Sequence, residues 1–169
     1  MSQESTKTCS IDFFMNLINK DISLVKGAKS ILDFKEGNKF IFPIDVNSVY
    51  YFVPEILAIK VEKEVVNIET LFIICDTLDK IKMISGFSST GIGVLKNELI
   101  SLYGYPQINI ETTISDIPYA NRHFWVVNSS VEILLKGNMN DGVSNVVFFS
   151  TDVEDYLGEW SIGYVQTNR

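Results

Sequence analysis

The sequence predicts an α+β protein, an antiparallel sheet with two or three helices packed on it. Three observations predict it. Short apolar runs rich in β-branched and aromatic residues recur from residue 39 onward, punctuated by Gly, Pro, Asn and Asp. Two stretches, near residues 11–19 and 93–103, have helical spacing instead. The composition, 46% hydrophobic and 12% aromatic over 169 residues, supplies a packed core and is too apolar for disorder. That length suits one α+β domain over 1–169, with a subdivision into 10–66 and 67–169 as the alternative.

Residues 1–9 are polar and expected to fray. Ser10 is a predicted N-cap for a helix over 11–19, with Phe14, Leu17 and Ile18 on one face and Asp12 in the first turn, where the helix dipole favours an acid. A second helix or an irregular segment runs through Leu24, Val25, Ala28, Ile31 and Leu32, and residues 35–39 read as a turn. Strands are expected at 39–44, 49–53 and 57–63, the last with Leu57, Ile59 and Val61 on one face. Residues 65–75 read as one long strand, apolar on both faces at its end, as a central strand is. After a turn at 76–79, residues 80–87 alternate, with Ile81, Met83 and Ser85 opposite Lys82 and Ile84.

The helix over 93–103 has Ile92, Leu95, Leu99, Leu102 and Tyr103 as its inner stripe. Gly104 fits the residue just past the helix end, and Pro106 forbids continuation. Further strands are expected at 108–112, 123–128, 131–136 and 143–149, the last two joined by a hairpin loop at 137–142. Thr151 and Glu154 have capping-box spacing for a short helix over 152–157, stopped by Gly158.

Charge narrows the choice of partner. The formal net charge is −7, unevenly placed. Residues 1–85 hold 10 lysines against 12 acids, whereas residues 86–169 hold four basic residues against nine acids. That field opposes nucleic acid and anionic membrane, and it fits a basic protein partner. Solubility of an acidic cytosolic protein is the plainer explanation of the same charge. The N-terminal residues lack the apolar core of a signal peptide, and no run approaches the ~20 apolar residues of a membrane span, so a cytoplasmic location is expected. The two cysteines, Cys9 and Cys75, are then expected to be free thiols, and the sequon Asn128-Ser129-Ser130 to carry nothing.

The motifs that usually carry chemistry are incomplete. His123 is the only histidine and is expected on a strand at a surface or rim; a zinc site built from it and two distant cysteines lacks paired spacing. Gly86-Phe87-Ser88-Ser89-Thr90-Gly91 invites a phosphate-loop reading, but Ile92 stands where the lysine belongs. Gly91-Ile92-Gly93 lacks the third glycine of a dinucleotide turn, and no Gly-x-Ser-x-Gly occurs. Asn138, Asn140 and Asp141 fail the calcium-loop register, since Gly137 and Met139 fall where oxygen ligands belong. No catalytic residue, metal site or cofactor is expected. The strongest candidate is acidic and aromatic together: Asp152, Glu154, Asp155 and Glu159 interleave with Tyr156, Trp160 and Tyr164. Tyr and Trp bury area at low rotamer cost, and carboxylates around them steer a basic partner. The competing reading makes Trp160 and Tyr164 core residues beneath a solvated acidic rim.

The stretch Gly91-Ile92-Gly93 through Leu102-Tyr103-Gly104-Tyr105-Pro106 resembles the helix segment of the small α+β modules typified by the SmpA/OmlA lipoproteins and the beta-lactamase inhibitor proteins. In those modules a glycine-led turn opens a helix ending in Leu-Tyr-Gly-x-Pro, and antiparallel strands come after it. The resemblance covers about residues 67–150. It departs at the helix start, where Val94 and Leu95 replace a polar cap. It implies a protein-binding module, and residues 11–75 as a diverged first copy of a tandem repeat. The expected function is a cytoplasmic inhibitor or immunity-type protein that occludes the active site of a basic toxin or enzyme. The alternative is a small-ligand-binding or enzymatic domain with a pocket between sheet and helix, lined by Tyr103, Tyr105, His123 and Trp125.

Overall fold

The computed structural model describes residues 7–30, 49–53, 57–62, 64–90, 93–110, 121–137 and 144–153. The expected turn at 35–39, the strand at 39–44, the loop over 138–142 and residues 154–157 of the short helix lie outside them.

The described elements begin with β1 (Lys7–Cys9) and α1 (Ile11–Leu17). Ser10 is extended and caps α1, its Oγ accepting the Phe13 N–H at 3.3 Å. The helix closes two residues earlier than expected, because Asn19 takes a left-handed backbone (φ 66°) and its N–H turns to the Ile81 carbonyl at 2.7 Å. From Asn19 to Ser30 the chain takes the irregular alternative, and Ile31 and Leu32 lie outside the described residues. A 3₁₀ turn at Ile22–Leu24 is capped by Asp21, and β2 (Lys29–Ser30) comes next.

The strands β3 (Val49–Val53), β4 (Leu57–Lys60), β5 (Val65–Ile68), β6 (Thr70–Cys75) and β7 (Ile81–Ser88) lead to α2 (Gly93–Tyr103). Then come β8 (Ile108–Ile110), β9 (Asn121–Val126), β10 (Val131–Gly137), β11 (Ser144–Ser150) and a 3₁₀ turn at Thr151–Val153. Eight strands form one wholly antiparallel sheet in the order β2-β3-β6-β7-β11-β10-β9-β8. A smaller sheet has the order β1-β4-β5, with β1 parallel to β4. The chain is therefore α+β with a dominant antiparallel sheet and two α-helices among the described residues.

The expected single strand over 65–75 is two. β5 pairs with β4 in the small sheet, and β6 enters the large one after a corner at Glu69, whose N–H donates to the Phe87 carbonyl at 2.9 Å. Gly86 lies beneath this corner. A Cβ there would meet Ile68 Cγ2 at 2.9 Å and Leu71 Cδ1 at 3.4 Å, so the absent side chain is what lets the sheets approach. The expected alternation of β7 also breaks. A register shift between Ile74 and Cys75 places Ile81 in the same core cluster as Ile84, with Met83 in the other.

The main core lies on the first face of the large sheet. Phe14 of α1 stacks on Phe148 of β11 (5.4 Å, 13°), and Leu95 and Leu99 of α2 join Ile59 and Ile68 of the small sheet above Ile73, Ile84, Trp125 and Ile133. Burying each such aliphatic or aromatic side chain contributes roughly 1.5–3 kcal/mol. Leu102, expected on the inner stripe of α2, is instead exposed.

Candidate functional site

The acidic, aromatic tract is represented among the described residues by Asp152. It sits on the closing 3₁₀ turn, exposed, and its Oδ2 accepts from Lys82 Nζ at 2.8 Å. The bonds from Lys82 and then Ser150 hold its carboxyl below the usual range. Lys82 also donates to Asn19 Oδ1 at 2.8 Å, so this cation fastens the turn to β7 and to the end of α1. Glu154, Asp155, Tyr156, Glu159, Trp160 and Tyr164 lie outside the described residues.

The four residues expected to line one pocket do not converge. His123 and Trp125 share the first face of β9, rings 6.2 Å apart, and both are fully buried. His123 is thus not the surface or rim histidine the sequence suggests, because β9 is an interior strand paired on both edges, with β8 and β10. Tyr103 points to α1, its Oη against Asp12 Oδ1 (3.5 Å) and Met15 Sδ (2.9 Å). Burial, with Asp12 and Glu98 adding to it, pushes its phenol up to about 12. Tyr105 faces solvent, 82% exposed.

Tyr105 is exposed and also held. Gly104 has φ 81°, and its N–H donates to the Ile100 carbonyl at 2.8 Å, closing α2 as the sequence predicts. The Gly104 carbonyl accepts the indole N–H of Trp125 at 2.9 Å. Two residues after Tyr105, the Gln107 N–H donates to the Phe124 carbonyl (2.8 Å), and Gln107 Oε1 accepts from the Val126 N–H (3.0 Å). The backbone on both sides of Tyr105 is clamped to β9. Leu102 (50% exposed) and Val126 (44%) flank the same loop, and Glu98 lies one helical turn before Leu102. Apolar residues presented on fixed backbone beside an acid suit contact with another macromolecule. The sequence signal is Leu-Tyr-Gly-Tyr-Pro, which marks a helix stop and then an aromatic without saying which way the ring points.

The second face of the large sheet carries polarity that sequence reasoning missed. Arg122 and Glu132 are buried there, beside Phe124, Leu134, Val147 and Phe149. Lys136 is paired in register with Arg122, and burial together with that guanidinium drops its amine to about 8. Nearby, the Asn145 amide donates to Ser85 Oγ (2.9 Å) and to the Gly86 carbonyl (3.0 Å).

In the segment that resembles a phosphate loop, the polar atoms serve the fold. Ser88 Oγ accepts the Thr90 N–H at 3.2 Å, and Ser144 Oγ donates to the Thr90 carbonyl. Among the described residues no group of three or more His, Cys, Asp or Glu is placed to hold a metal ion, and no helix is long and apolar enough to cross a membrane. Cys9 and Cys75 are free and buried. No protein-family model, curated protein or solved structure matches the chain.

Proposed function

We propose that this chain is a cytoplasmic protein-binding protein of the inhibitor or immunity kind, which occludes the active site of a basic toxin or enzyme. The observation that carries the reading is Tyr105, fully presented to solvent on backbone clamped at Gly104 and Gln107. A rigid aromatic loses little entropy on binding. The net charge of −7, most of it in the second half of the chain, supports a basic partner. The resemblance of residues 91–106 to inhibitor-type modules supports the same reading. Tyr105 and Leu102 are the proposed anchors, and Asp152, Glu154, Asp155, Tyr156, Glu159 and Trp160 the proposed acidic and aromatic contacts.

Affinity purification from the native host tests this, with wild type and Tyr105→Ala as parallel baits. Wild type is expected to retain a basic protein that Tyr105→Ala retains at least about tenfold more weakly, as truncating a hot spot of 2 kcal/mol or more implies. Equal retention by both baits, or a chain that elutes alone, contradicts the reading.

A further inference from the structure

A second feature stands apart from the Tyr105 surface. Beneath α1 lies a cleft of about 180 Å³. Phe13 and Phe14 of α1 form one wall, and Leu71, Ile73 and Ile84 of the large sheet another. The sequence alternative of a pocket between sheet and helix places it at the other helix, lined by other residues. Among the described residues, the charged side chains lining the cleft are Lys7 from β1 and Lys26 from the loop after the 3₁₀ turn, and both are exposed. The Lys7 ammonium is held 5.0 Å from the centre of the Phe13 ring, so one positive charge is fixed against a wall of the cleft. Two cations at one apolar opening run against the sign of a chain carrying −7.

Size and charge together define an occupant. An apolar cavity of about 150 Å³ holds a benzene molecule, so this cleft takes an apolar group of that size or slightly larger, about six carbons. We propose that the cleft binds a small monocarboxylate, its short apolar tail under Phe14 and its carboxylate toward Lys7 and Lys26. The tail gains by leaving water, and the anion meets two ammonium groups without being buried itself. This inference is independent of the protein-binding reading, since it uses neither Tyr105 nor the acidic tract.

The test is a titration of the full chain, monitored by amide chemical shifts in solution, with hexanoate, hexanol and hexylammonium as probes. Hexanoate is expected to saturate near 1 mM, a normal strength for so few atoms, and to shift resonances of α1, β6 and β7. Hexanol is expected about three- to tenfold weaker and hexylammonium weaker still, as partly screened charge contacts imply. The exposed pair Lys7→Ala and Lys26→Ala, combined, should weaken hexanoate by the same factor and leave hexanol unchanged. Val53→Phe, which fills the cleft, should abolish both if its spectrum shows a native fold. No saturation by hexanoate below about 10 mM overturns the proposal. Equal affinity for the three probes, or for wild type and the double lysine variant, overturns it as well.

Discussion

At the scale of single residues, burial decides what the reactive groups of this chain can do. Cys75 ends β6 fully buried. Burial, with Asp79, Asp76 and Asp21 acting in the same direction, pushes its thiol up to about 12. The thiolate that would attack a disulfide or bind a metal is therefore suppressed at neutral pH. The same shift has a consequence for stability. A group whose proton is held more tightly in the fold than in the unfolded chain stabilises fully below its unfolded value and ceases to do so as pH rises toward the folded one. Wild type is therefore expected to lose stability, relative to Cys75→Ala, as pH rises from about 9 toward 12. Denaturant unfolding of both proteins across that range checks it, and parallel pH curves would contradict it. Nothing in the sequence predicts the burial of His123. A lone histidine between Arg122 and Phe124 gives no sign of its surroundings until β9 is seen paired on both edges.

At the scale of elements, the second half of the chain was the more legible. Gly104 and Pro106 end α2 where expected, and β9, β10 and β11 fall within two residues of their expected starts and ends, because turn residues bracket each strand. The corner at Glu69 was not legible, since apolar residues continue through it into both sheets and no Gly or Pro marks the bend. The mark lies elsewhere, at Gly86, which accepts the crossing chain from below. Ile68 is β-branched and fully buried, so its methyl cannot swing away from an added Cβ. Gly86→Ala is therefore expected to destabilise the protein by about 1–3 kcal/mol, through overpacking where β5 meets β7. Thermal and denaturant unfolding measure it. A neutral or stabilising substitution would show that the close approach of Ile68 is not a constraint.

At the scale of the whole molecule, one large sheet buries both faces differently. Its first face packs α1, α2 and the small sheet, and its second mixes aromatic residues with Arg122, Glu132 and Lys136. The period-two pattern that revealed the strands did not reveal those buried charges, because a polar residue alternating with apolar ones reads as solvated. The acidic tract is named from its residues alone and, apart from Asp152, lies outside the described ones. The clamp on Tyr105 depends on hydrogen bonds between a loop and β9 that spacing does not show. Charge and rigidity combine in the central claim, that the chain works by presenting a negative, ring-bearing surface to a basic macromolecule. The association rate of the purified chain with its partner, measured from low to high ionic strength, tests that most directly. The rate is expected to fall about tenfold or more as salt rises from about 50 to 500 mM while dissociation changes little. An association rate indifferent to salt would contradict it.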